Sequence, residues 1–181
     1  MRDEITILGK LVTSLDDVRL FCTNASDHIE RPWLEHVFAQ LAQTHRLIAD
    51  ELCTHVKTMG GERVQRNDHR RQGWRTAWSE WLVRSHFDSD LAYLQQAERR
   101  EDRLTRRFAR AIRRTPDGDT HWRLERHVYE IDCARMKITR VLALLQDDID
   151  ARRIEAHAST RSPATVASRR PAARANRDLH A

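Results

Sequence analysis

A chain of 181 residues, one third of them charged and with a net charge of +5, is one domain of ordinary size, too short to hold a second catalytic domain. Five Gly and four Pro are too few for a turn-rich sheet protein, and no apolar run reaches the length of a membrane span. Residues 152–181 hold seven Arg against Glu155 and Asp178, a balance of +5 that equals the whole chain's. Residues 1–151 are therefore neutral, and net charge does not support a general nucleic-acid-binding face on the folded part.

Cys22, Cys53 and Cys133 are far apart, odd in number and without a metal spacing such as C-x-x-C, so they read as reduced packing residues. Met1-Arg2-Asp3-Glu4-Ile5 carries acids where a signal peptide would carry lysines, and a cytoplasmic location is expected.

Residues 3–27 place Leu8, Leu11, Leu15, Val18, Cys22 and Ala25 at helical spacing, a first helix of roughly 37 Å. Pro32 suits a first helical turn and opens a second helix through Leu34, Phe38, Leu41, His45, Ile48, Leu52 and His55 to Met59, where Gly60-Gly61 supplies a left-handed cap. The short turn between two long helices makes them antiparallel neighbours.

Residues 62–87 are polar up to Arg71 and then amphipathic, with Trp74, Trp78 and Trp81 on one face. Three indoles at that spacing are expected to pack the connection across the bundle, a partner-binding stripe being the alternative. The connection is long enough to return the chain, so a third helix can run parallel to the second, which is the connectivity of ferritin-like bundles.

The third helix, Asp88 to Arg114, carries Leu91, Leu94, Glu98, Glu101, Thr105, Phe108 and Ile112 on one stripe that begins at Phe87. Two carboxylates thus occupy positions where Leu is usual, and a buried carboxylate needs a cation, a donor, a metal or a proton. A fourth helix from Asp119 or Thr120 follows Leu124, Val128, Ile131, Arg135, Ile138, Leu142, Leu145 and Ile149. An interior polar cluster of Glu98, Glu101, Arg135 and His45 is expected, the arginine neutralising the acids. After about residue 152 the apolar rhythm fails and Ala, Ser, Arg and Pro take over, so domain 1–151 is expected to precede a disordered tail, 152–181.

Gly60-Gly61 closing the second helix, Gly73-Trp74 opening the crossover, and Glu98-Arg99-Arg100-Glu101-Asp102 in the third helix resemble a bacterial ferritin-like family, domain of unknown function 2383, over roughly residues 4–146. Arg100 stands where that family's run has glycine, and Arg71 where it tends to have histidine. The resemblance implies a four-helix bundle and an association with stress or stationary-phase physiology, and no established reaction.

A carboxylate-bridged di-metal centre in such a bundle needs a Glu-x-x-His pair on each of two helices. The second helix offers Glu35-x-x-Phe38 and Glu51-x-x-Thr54, the fourth Glu125-x-x-Val128 and Glu130-x-x-Cys133, so the pair is missing. His45, Glu98 and Glu101 meeting one divalent ion is a smaller alternative, as are Glu51 with His55, and His127 with Glu130, which read as ion pairs. There is no serine elbow, nucleotide-binding glycine loop or cysteine with a histidine motif. The expectation is an all-α, ferritin-like up-down four-helix bundle with a long crossover: a non-catalytic structural or interaction protein that self-associates, with no cofactor. The alternatives are an iron-type metal-binding protein, and non-specific DNA association through the arginines of the 152–181 tail.

Overall fold

The computed structural model describes residues 2–62, 89–116 and 118–160. Among them are four helices and no strand: α1 (Arg2–Ser26), α2 (Pro32–Thr58), α3 (Ser89–Ile112) and α4 (Asp119–Thr160). The expected crossover helix with Trp74, Trp78 and Trp81 falls outside the described residues, as does Phe87.

Helix ends follow local chemistry. α1 starts with Asp3 and Glu4 at its positive end. It closes where the amides of His28 and Ile29 both donate to the Ala25 carbonyl at 3.0 Å. α2 has Pro32 in its first turn and ends as the amides of Met59, Gly60 and Gly61 turn back onto the carbonyls of His55, Lys57 and Val56. Gly60 takes the left-handed conformation at φ 76°, and a Cβ on Gly61 would lie 2.6 Å from Val56 Cγ1 and 3.1 Å from Ile5 Cγ2. The second glycine therefore lets the end of α2 close against the start of α1.

Cross-helix contacts fix the directions. The Ile5–Gly61 approach at one end and the Ser26 hydroxyl donating to the Glu35 carbonyl (3.3 Å) at the other make α1 and α2 antiparallel. The buried Asp90 carboxylate, at the start of α3, accepts from Arg31 Nη1 (2.5 Å) and from the Glu30 amide (3.3 Å), while Arg107 near its other end reaches Ser14. α3 thus runs parallel to α2. α4 runs against both, through His55–Thr120 and Lys137–Gln40 toward α2 and Thr139–Glu98 toward α3. Parallel second and third helices are the arrangement that a long crossover serves.

Phe21, Phe38 and Tyr93, one from each of α1, α2 and α3, meet at ring-centroid distances of 6.3 to 6.5 Å in tilted or edge-on pairs, with the buried leucines around them. The inward stripes of α3 and α4 differ from expectation in the same way. On α3 the buried positions are Asp90, Ala92, Tyr93, Leu94, Ala97, Glu101, Leu104, Phe108 and Ala111, so Ala97, Leu104 and Ala111 replace Glu98, Thr105 and Ile112. On α4, Leu124, His127, Ile131, Ala134, Ile138 and Leu142 are buried, so Ala134 and His127 replace Arg135 and Val128. Steps of three and four admit either neighbour; at Ala97 and Ala134 desolvation selects the small apolar residue over the charge beside it, whereas His127 is buried beside the apolar Val128.

The chain divides at Gln146, residues 1–146 forming one compact unit and 147–181 another. In the second unit helix continues to Thr160, past the point at which disorder was expected. The extension has no buried stripe, but Arg, Ala and Glu are good helix formers, and Arg152–Asp148 (2.8 Å) and Arg153–Asp150 (3.8 Å) pair along the surface. Residues 161–181 lie outside the described residues.

Candidate functional site

α2 and α3 bring His45 and Glu101 face to face in the interior, both with 0% exposure. His45 Nδ1 lies 2.6 Å from the Leu41 carbonyl, and Nε2 lies 3.0 and 3.2 Å from the two Glu101 oxygens. A carbonyl can only accept, so Nδ1 carries a hydrogen. Facing a carboxylate, Nε2 is placed to donate as well, the arrangement of an imidazolium. Burial pulls the His45 pKa down; the Glu101 charge, the hydrogen bond to it and the Leu41 carbonyl outweigh burial and hold it above 6.5. The hydrogen bond runs to Oε2, and Oε1 feels the charge without an aligned donor.

Cys22 of α1 is fully buried in the same interior, and burial first, the Glu101 charge second, push its thiol well above the ordinary cysteine range. Both effects favour the protonated thiol over the thiolate. Arg100 lies 4.4 Å from the Phe21 ring centroid, and burial lowers its pKa to about 10, which leaves it charged at neutral pH.

The other two expected members lie elsewhere. Glu98 is half-buried and accepts from the Thr139 hydroxyl at 3.1 Å. Arg135, 40% exposed, pairs with Asp132 at 3.3 Å and approaches Asp102 at 3.9 Å. Glu101 is therefore neutralised by histidine and not by Arg135, and the cluster of four reduces to the His45–Glu101 pair. Among the described residues no three His, Cys, Asp or Glu side chains are grouped as metal ligands, so the set His45, Glu98 and Glu101 is not assembled.

A second polar seam joins α2 to α4. Glu51 receives Arg123 Nη1 at 3.1 Å and Arg126 Nη2, with His127 Nε2 at 3.6 Å. His127 Nδ1 lies 3.0 Å from Glu130, and His55 Nε2 lies 2.8 Å from the Thr120 hydroxyl. Burial raises the Glu51 pKa, but His127 and the two guanidiniums hold it below the usual carboxylate range. Glu51 and His55 thus have different partners, while His127 and Glu130 form the expected pair.

The outer face of α4 carries what the sequence reading passed over. Trp122, Tyr129 and Met136 are 60, 72 and 50% exposed and recur every seven residues, while Leu124, Ile131, Ile138 and Leu145 recur at the same interval inside. The signal was available as a second seven-residue repeat set two positions before the first. The outward residues lie about half a turn from the inward ones at 100° per residue.

The family model described as Domain of unknown function (DUF2383) matches residues 3–114, from the start of α1 past the end of α3, with α4 outside the match. No curated protein matches the chain. No helix among the described residues is long and apolar enough to cross a membrane.

Proposed function

The chain belongs to the family described as Domain of unknown function (DUF2383), and from that premise we propose that it is a non-catalytic interaction protein that associates with a second copy of itself through the outer face of α4. The observation that carries this reading is the Trp122, Tyr129 and Met136 stripe. A seven-residue apolar repeat is the form in which one helix meets another, and each copy brings the same repeat to a two-fold contact. Six such side chains, at about 150 Å² each, supply most of the roughly 1,200 Å² at which specific interfaces begin. The exposed Cys133 and Arg140 beside the stripe add to that area.

The interior supports the non-catalytic part. The His45–Glu101 pair is closed off, with both ring nitrogens of His45 engaged, and burial favours the thiol form of Cys22. A general acid or nucleophile needs access to a substrate, and neither group has it. Cytoplasmic residence and a role in stress physiology complete the reading and rest on the N-terminal composition and the family resemblance.

Sedimentation velocity on the full chain tests the association. Trp122→Glu combined with Tyr129→Glu is expected to leave a monomer with unchanged helix content where the parent protein dimerises. A monomeric parent, or a dimer unaffected by both substitutions, would reject the reading.

A further inference from the structure

We propose that the outer face of α3 is a docking surface for the phosphate backbone of duplex nucleic acid. Residues 99–114 contain eight Arg against Glu101 and Asp102, a local excess of +6 inside a 1–151 segment that is neutral overall. Seven of the eight, Arg99, Arg103, Arg106, Arg107, Arg110, Arg113 and Arg114, are exposed, and at 100° per residue those in the helix gather opposite the buried stripe of Leu94, Glu101 and Phe108. Neutrality of the folded part is therefore a sum over segregated charges and not an absence of a basic face.

Several other described arginines have carboxylate partners: Arg31 with Asp90, Arg123 and Arg126 with Glu51, Arg135 with Asp132. On the outer face of α3, Arg106 pairs with Asp102 at 3.4 Å, while among the described residues no carboxylate pairs with Arg99, Arg103, Arg107, Arg110, Arg113 or Arg114. Such charges repel one another unless an anion arrives, which makes the surface complementary to one.

Beside the stripe a groove of about 590 Å³ runs between α1 and α3, edged by Lys10, Arg107, Arg110 and Arg114 against the carboxylates of Asp3 and Asp17, so that basic groups outnumber acidic ones, with the hydroxyls of Thr6 and Thr13 along it. Arg107 is held in place there by the buried Ser14 hydroxyl. Positioned guanidiniums with hydroxyls nearby are the donor set used on phosphates, and the planar fork of arginine binds them in pairs.

The form of the surface selects among polyanions. Arg99 to Arg110 span about 16 Å along one helix, a linear array that follows a regularly charged strand. A membrane-surface helix needs exposed large apolar side chains next to its basic ones, and among the described residues those of the protein lie on α2 and α4, not on α1 or α3. The stripe has no aromatic residue, so backbone contact without base stacking or sequence preference is expected.

The test uses the full chain with a fluorescein-labelled, mixed-sequence DNA duplex, followed by anisotropy across a salt series. Arg103→Gln, Arg110→Gln and Arg114→Gln together should weaken binding at least about tenfold and flatten the slope of log K against log salt by roughly 0.9 per lost contact. Arg161, Arg169, Arg170 and Arg174, all replaced by Gln, should leave that slope unchanged. Duplex binding lost only with the tail arginines, or insensitive to the α3 substitutions, would overturn the proposal. So would α3-dependent binding to phosphatidylserine vesicles or polyglutamate as strong as that to duplex. Arg103, Arg110 and Arg114 are exposed, and the four tail positions lie outside the described residues, so unchanged helix content in both variants is the expected control.

Discussion

α3 and α4 are antiparallel neighbours with inward faces built alike and outward faces built differently. Each buries an ionisable side chain midway along its inner stripe or near it, Glu101 on α3, besides Asp90 at its start, and His127 on α4. Outside, α3 is lined with arginines and α4 with Trp122, Tyr129 and Met136. The difference teaches that net charge and mean hydropathy describe neither helix, because opposite faces of one cylinder cancel in an average. It also separates two kinds of buried polar group. Glu101 is answered by a histidine in the interior, whereas buried His127 faces the part-exposed Glu51, which keeps two guanidiniums whether or not the histidine is there.

Substitution of the two inner groups should sharpen that contrast most. Glu101→Leu leaves an imidazolium buried without its counter-charge and is expected to cost about 3–5 kcal/mol of unfolding free energy in a chemical-denaturation series. His127→Leu, of comparable bulk, should cost less than about 1.5 kcal/mol in the same assay, because Glu51 stays paired. Equal costs would erase the distinction.

The pH dependence of stability ranks next. His45 has its folded pKa raised above the 6.5 of the unfolded chain. The folded state therefore binds the proton more tightly, and the stabilisation is complete below about pH 6.5 and lost as pH rises through the higher folded value. Thermal melts of the parent protein should decline across that window, and Glu101→Gln should flatten the decline. A parent protein that gains stability over the same range would reverse the sign of the coupling.

The smallest effects belong to the two residues that the sequence placed inside. Glu98→Leu and Arg135→Leu should each change stability by no more than about 0.5 kcal/mol, since a half-exposed hydroxyl contact and a solvent-screened ion pair are what they lose. A loss near that of Glu101→Leu would restore an interior role for them.

Those two residues mark how far the sequence was legible. Helix number, the Pro32 start, the glycine stop at Gly60 and Gly61 and the parallel course of α2 and α3 were readable, because they rest on backbone chemistry and on a connection too long for a tight turn. His45 and Glu101 were both readable as interior residues. What failed was the choice between adjacent residues, Ala97 or Glu98 and Ala134 or Arg135, since periodicity alone fixes a helix face only to within one position. Pairing Glu101 with Arg135 followed from that slip, and the nearer histidine was passed over. Cys22, Ser14 and Asp90 gave no periodic signal of their polar contacts, which depend on long-range packing.

The closed interior rests on His45 being a charged, doubly protonated ring, and a heteronuclear NMR titration of the His45 side chain reads this directly. Hydrogens on both ring nitrogens at pH 7 and a midpoint above 6.5 are the expected result. A singly protonated ring at pH 7 with a midpoint below 6.5 would contradict the buried ion pair and reopen the interior as a candidate reactive site.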